Sequence, residues 1–299
     1  MPEIQNQASL TYLYGGTNQG TALSNVATTN LEGPVTINKT ALQDAYRGGT
    51  QITYIVTITN SGECGSVGYT LTDDLGTFTN GTCTSTPLNY VGPAQLYVGG
   101  QFYSVLAPTV AQGLVTFDIP ALPCNTSAML IYVAEVNECA NLAVGASIEN
   151  TVTLTGGNLC EPLTDSNVID VAVYADVDII KSMTPNPFVS GGTLTYTFDL
   201  FNYGNTEATD IVLTDVFNPA PESIAITVNG EVLSPALYSY TNGVLTIPAT
   251  AGVTIPAADF VLNNCCYATT AGQTEIVVTG VVRSCPTDGV TTNLCPCNS

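Results

Sequence analysis

The chain has 299 residues, enough for two domains of ordinary size, each with its own core. Twenty-four acidic residues against four basic ones give a formal charge of −20, yet charged residues make up only 9%. Such a surface is built from Thr, Asn, Ser and Gly and offers no basic patch for nucleic acid or anionic lipid. Histidine and Trp are absent. That excludes Ser-His or Cys-His nucleophilic catalysis and His-ligated metals, and it leaves a sugar hydrolase without an aromatic platform. The composition therefore predicts a protein that is not an enzyme and needs no cofactor or metal.

In chain order, the opening Met1-Pro2-Glu3 has neither a basic stretch nor an apolar core, and predicts a protein not exported by the ordinary signal-peptide route. Next come Ile4-Gln5-Asn6-Gln7-Ala8-Ser9-Leu10, Tyr12, a Gly15-Gly16 turn and Ser24-Asn25-Val26. Val35-x-Ile37-x-Lys39 alternates as a strand does, placing Val, Ile and Lys on one face. After Gly48-Gly49, Ile52, Tyr54, Val56 and Ile58 alternate with Thr53, Thr57 and Thr59, the period-2 pattern of a half-buried strand. Asn60-Ser61-Gly62 ends it, and a further strand runs to Leu71-Thr72-Asp73. The longest apolar run, Ala128 to Ala134, is far short of the roughly 20 residues a membrane-spanning helix needs. Ile148-Glu149-Asn150-Thr151-Val152-Thr153-Leu154 follows, then Gly156-Gly157 and Ser166-Asn167-Val168.

Much of this then recurs. Lys39, Tyr54, Asn60, Gly62, Leu71, Thr72 and Asp73 return as Lys181, Tyr196, Asn202, Gly204, Leu213, Thr214 and Asp215, each 142 residues later. Short β-rich segments and turn signals with no convincing helix predict an all-β fold of two tandem immunoglobulin-like sandwiches. The expected divisions are 1–33, a strand or hairpin segment; 34–175, the first repeat; and 176–299, the second.

The repeat is offset from the chain. The opening segment resembles the end of the first repeat, with Asn6 matching Asn150 at an offset of 144 and Asn25 matching Asn167 at 142. The second repeat reaches an Asn150-like point at Asn293 within six residues of the C-terminus. A sandwich missing its last strands exposes open edges, and an isolated hairpin is marginal in water. Residues 4–33 of one copy, carrying Asn6, Leu10, Tyr12, Asn25 and Val26, are therefore expected to complete the second domain of the next. This joint is heterologous and builds a filament unless it closes a ring. The partners implied are copies of the same chain or related fibre subunits, with no nucleic acid and no membrane. The alternative is a monomeric adhesive or ligand-binding module.

The chain's two lysines occupy one repeat position. A buried lysine loses its proton readily. Beside an Asn amide, with a carboxyl group to shuttle protons, it can expel ammonia and form an isopeptide bond. The candidate sets are Lys39 with Asn167 and Asp73, and Lys181 with Asp215 and Asn25 of a neighbouring molecule; the simpler arrangement is a Lys–Asp pair. Ten cysteines (Cys64, Cys83, Cys124, Cys139, Cys160, Cys265, Cys266, Cys285, Cys295 and Cys297) predict disulfides. Only Cys139 and Cys285 fall at comparable points in the repeats, so links between molecules are expected over matching staples within each domain. The vicinal pair 265–266 and the Cys-x-Cys at 295–297 do not match zinc-ribbon spacing. Asp73-Asp74 lacks the acid-rich spacing of a calcium loop.

The pattern I-x-K-[TS], G-G-T, T-Y-x-[VF]-x-[IL]-x-N-x-G, L-T-D and a late S-N-V spans Ile37–Asp73 and Ile179–Asp215. It resembles the bacterial surface-protein repeat known as domain of unknown function eleven, although Asp74-Leu75 and Val216-Phe217 stand where that family has an aliphatic residue and Pro. Two such repeats with many cysteines resemble the fibre subunits of clostridial spore appendages. The resemblance implies a structural fibre component, placed on the spore surface or outside the cell.

Overall fold

The computed structural model describes residues 3–30, 34–62, 67–157 and 159–283. Cys64, Cys285, Cys295 and Cys297, and the landmark Asn293, lie outside them. Residues 3–30 form four strands: β1 (Glu3–Asn6), β2 (Ser9–Tyr14), β3 (Asn18–Leu23) and β4 (Ala27–Asn30). They pair only as β1 with β4 and β2 with β3.

The first domain begins with β5 (Val35–Ala41), β6 (Ala45–Tyr46), β7 (Gln51–Asn60) and β8 (Tyr69–Asp73). It continues through β9 (Phe78–Asn80), β10 (Cys83–Ser85), β11 (Leu88–Tyr90), β12 (Ala94–Val98) and β13 (Gln101–Leu106). The remainder is β14 (Thr109–Ala111), β15 (Leu114–Ile119), β16 (Thr126–Val136), β17 (Ser147–Gly156) and β18 (Leu163–Val171). Two sheets face each other, in the orders β13-β12-β16-β7-β5 and β14-β15-β8-β17-β18-β6. The alternation in β7 does the work expected of it: Ile52, Tyr54, Val56 and Ile58 are buried while their neighbours are half-buried or exposed. They share one core with Leu71, Leu96, Phe117, Leu130, Tyr132, Val152 and Leu154.

The second domain contains β19 (Val177–Thr184), β20 (Thr193–Asn202), β21 (Leu213–Val216), β22 (Glu222–Val228) and β23 (Glu231–Val232). It closes with β24 (Ser239–Thr241), β25 (Val244–Ile247), β26 (Asp259–Asn263), β27 (Cys266–Thr270) and β28 (Gly272–Val281). A separate, smaller core gathers Tyr196, Phe198, Leu200, Leu245, Ile247, Ile276 and Val278. The fold is all-β and immunoglobulin-like, and the two short 3-10 turns at Pro235–Leu237 and Ala249–Ala251 do not alter it.

The repeated Asn-x-Gly pins each domain internally. The Asn202 carboxamide accepts from the Asp176 and Gly204 N–H groups and donates to the carbonyls of Thr206 and Pro256. Asn60 likewise accepts from Gly62 and donates to Leu122 and Pro123. Glycine is required at 204 because a Cβ there would meet the Tyr174 carbonyl at 2.3 Å. Asn202→Ala leaves these groups without their partner, and each buried orphan costs about 1–3 kcal/mol. The expected result is a lower denaturant midpoint for the second domain's transition, with the first domain's unchanged.

The cysteines correct an expectation. Cys83–Cys265 and Cys139–Cys266 are bonded within one chain and join the first domain to the second, rather than joining molecules. The vicinal pair sits at the tip of the β26–β27 hairpin, where Asn264 and Cys265 both adopt positive φ, as a two-residue hairpin turn demands. The sequence could not reveal this, because it does not show that this hairpin reaches across to the first domain. Asn205 strengthens the junction by donating to the carbonyls of Leu142 and Ala172, and Arg47 lies 4.4 Å over the Tyr174 ring. Cys124 and Cys160 are free and exposed.

Candidate assembly face and buried lysine site

The first sheet of the second domain, β23-β22-β28-β20-β19, follows the path β13-β12-β16-β7-β5, with no counterpart among the described residues to β11, which pairs with β16. The second sheet does not match. Among the described residues it holds three strands, β24-β25-β21, where the first domain has six, and the counterparts of β17, β18 and β6 are the ones missing. Among the described residues β21 pairs with β25 alone, whereas its counterpart β8 lies between β15 and β17.

All eight residues of β19 are exposed, while Val35 and Lys39 of its counterpart β5 are buried. Val177, Ile179 and Met183 are exposed apolar side chains on the face of β19 that carries Lys181. Opposite in kind, residues 5–28 are all exposed except half-buried Gly20. This segment has hydrogen-bonded strands but no core of its own.

The two lysines measure the difference directly. Lys39 Nζ contacts Asp73 Oδ2 at 2.8 Å with both side chains fully buried. Lys181 Nζ contacts Asp215 Oδ2 at 2.6 Å, but these side chains are 37% and 17% exposed. Lys181 also lies 5.1–5.4 Å from the rings of Phe198, Phe217 and Tyr196, a cationic group on an aromatic floor without a roof. In the first domain β18 packs beside β5, and the Lys39 backbone N–H donates to Asp165 Oδ2 at 2.6 Å.

Around Lys39 the core is polar in a defined way. The amine is 4.6 Å from the centroid of Tyr54, whose ring stacks on Tyr132, and the Tyr132 hydroxyl donates to Asp73. Burial lowers the Lys39 pKa against the opposing pull of Asp73. Burial, with Asp73 adjacent, raises the Tyr132 phenol well above its ordinary value. Asp74 is raised chiefly by burial, although the Thr151 and Gly76 N–H groups donate to it.

Asn167 faces this core from β18, with its carbonyl oxygen buried and unpartnered. Directly opposite it on β17 is Asn150, which is fully buried, with neither amide atom hydrogen-bonded. Asn150 served in the sequence only as a repeat landmark. Its recurrence as Asn6 was the available signal that the position matters. Asn6 and Asn25 do not reproduce the Asn150–Asn167 pairing within their own chain, since Asn6 lies opposite Ala27 and Asn25 falls between β3 and β4. Leu10 and Tyr12 on β2, and Val26, are exposed. Asn6 and Asn25 are separated by sequence from Lys181, and nothing on their own strands gathers them at it.

No protein-family model matches the chain, and no curated protein matches it. Among solved structures, it is similar to BcpA, the major pilin subunit of Bacillus cereus, at 11% identity and a TM-score of 0.35, covering 86% of this chain and 75% of that one. It is also similar to a 35 kDa C-terminal fragment of the major pilin GBS80 of Streptococcus agalactiae, at 12% identity and a TM-score of 0.35, covering 75% and 79%. A third is the pilus backbone protein RrgB of Streptococcus pneumoniae, at 13% identity and a TM-score of 0.34, covering 79% of this chain and 49% of that one.

Proposed function

We propose that this chain is the structural subunit of a self-assembling fibre outside the cell or on a spore surface. In this reading, residues 3–30 of one copy fill the gap in the second domain of the next. One observation carries it: among the described residues, a second sheet with three strands where its sibling has six, in a chain whose opening segment matches β17 and β18 in sequence. The occupant is specified by that match. At an offset of 144 residues Ala8 takes the place of Val152, which lies opposite Asp73 in the first domain, so Ala8 falls opposite the neighbour's Asp215. The donor also brings Asn6 and Asn25 beside the Lys181–Asp215 pair, the setting for a covalent weld between subunits. The internal disulfides stiffen each subunit, and spore-surface placement follows the resemblance to spore appendages.

The register gives a direct test. Thr153 pairs with Thr72, so Ser9 is expected opposite Thr214 of the neighbouring copy, and both residues are exposed in the single chain. The double variant Ser9→Cys with Thr214→Cys should form a ladder of disulfide-linked multimers under mild oxidation. Peptide mapping should place the new bond between these two positions, and each single variant should lack it. A bond formed within one chain, or none beyond the native bridges, would remove the donor reading and favour a monomeric binding module.

A further inference from the structure

We propose that the outer face of β13-β12-β16-β7 in the first domain is a contact face for a second copy of the chain, through which fibres pack side by side; this rests on the head-to-tail fibre. The face follows from register. Leu96, Leu130 and Val56 point into the core, so the residues beside them in each strand point outward. On that outer side Met129 lies between Tyr97 and Thr57, with Phe102 beyond Tyr97. One row along, Ile131 lies between Gln95 and Ile55, with Val105 beyond Gln95. Phe102 is 59% and Val105 58% exposed, and the Phe102 ring meets Tyr97 edge-on. An antiparallel sheet with one face on a core ordinarily turns polar residues to the other. β16 departs from that pattern, because Met129, Ile131 and Val133 all stand on its outer side.

Charge singles out this face and specifies its occupant. Between Asp74 and Glu135 the sequence has one charged residue, Asp118, and it lies on β15 in the other sheet. Glu135, at the end of β16, is the one charged residue in these four strands, and it accepts from the Gln51 amide. The second domain is different at the same positions. There Asp199 faces Glu275 where Thr57 faces Met129 in the first domain, and Asp178 lies on the same side. The edge strands repeat the contrast: β13 has six residues and no charge, whereas its counterpart β23 has two, one of them Glu231. Copies with a formal charge of −20 repel one another over most of their surface. Across this face they meet without opposing carboxylates, and two such faces are self-complementary about a two-fold axis.

The size of the face decides what it can do. Four strands about 4.8 Å apart, over about five residues of roughly 3.3 Å each, cover about 300 Å² per copy. A pair would bury about 600 Å², below the roughly 1,200 Å² at which stable interfaces begin. Single chains therefore stay apart. A fibre presents the face once per subunit, and each contact made raises the effective concentration of the next.

The test uses the full chain assembled into fibres at physiological salt, followed by electron microscopy and low-speed centrifugation. Wild-type fibres should lie side by side and pellet. Met129→Glu, which places the second domain's own residue at this position, should give fibres of unchanged length that stay single, with loss of the pellet. Val105→Glu on the exposed edge should do the same, and it keeps the test decisive if Met129→Glu lowers the first domain's urea midpoint. Val277→Glu puts the same charge on the outer side of β28 and should leave the bundles intact. Wild-type fibres that stay single would overturn the inference and leave the head-to-tail fibre standing. Bundling by both first-domain variants would overturn it as well, and so would an equal loss with Val277→Glu, which makes net charge the cause. A wild-type chain that forms no fibres would remove the head-to-tail fibre and this contact together.

Discussion

Protein lacking residues 1–33 is expected to remain monomeric at concentrations where the full chain forms filaments visible by electron microscopy. The described residues of the removed segment form strand pairs with one another alone and belong to neither core, so its loss leaves both domain cores intact. Each domain should keep its own unfolding transition, which separates lost assembly from lost folding. Leu10→Asp should approach the same result. Leu10 is 62% exposed in the single chain and takes the position of fully buried Leu154, where an apolar side chain contributes about 1.5–3 kcal/mol and an unpaired charge is strongly opposed. A separate peptide of residues 1–33, added in excess to the full chain, should shorten filaments by capping open second domains. Lys181→Arg keeps the charge but removes the nucleophilic amine, so filaments should form and then dissolve in hot SDS. Filaments from the truncated chain would refute the donor reading outright.

The second large effect is alkaline. Tyr46, Tyr54 and Tyr132 are fully buried in the first domain, and burial raises each phenol above its ordinary value near 10. Above that pH the unfolded chain loses these protons while the folded chain retains them. The unfolded state then binds fewer protons, so the stabilising contribution is complete below pH about 10 and declines as pH rises toward the folded values. Each phenol contributes a slope of about 1.4 kcal/mol per pH unit, or about 4 for three acting together. Urea midpoints for the first domain should therefore fall steeply across that range. Tyr54→Phe should reduce the slope by about a third. A flat profile would contradict the burial of these rings. Lys39 works in the opposite sense while it remains a free amine. Its folded pKa is lowered, so the unfolded chain binds more protons up to the ordinary value of 10.5, and stability rises with pH inside that window.

The strands carrying the repeat were legible because their faces differ. Period-2 alternation in Gln51–Asn60 and Thr193–Asn202 is imposed by a core on one side, and both segments fold as β7 and β20. The deep placement of Lys39 was legible from the same alternation, since it shares a face with Val35. The partners around it were harder to read. Asn150, Tyr132 and Asp165 are brought together by sheet order and facing across the sandwich, which a linear pattern does not encode. The disulfides were least accessible, because they depend on where a hairpin with an ordinary turn is aimed. Asp73 was read both as a strand-end residue and as a proton carrier. It serves the first role through the Leu75 N–H, which donates to its other oxygen.

The Cys83–Cys265 and Cys139–Cys266 bridges have a mechanical consequence. The peptide joining β18 to β19 is short, held by Asn202 and Asn205, by Arg47 over Tyr174 and by backbone bonds with Tyr46, Tyr203 and Thr206. Tension applied along the chain has parallel covalent routes around that connector, leaving the backbone at Cys83 and Cys139 and re-entering it at the β26–β27 hairpin tip. Under load the two sandwiches cannot be drawn apart by peeling the connector, and what stretches first must lie before Cys83 or after Cys266, the stretches that the bridges do not bypass.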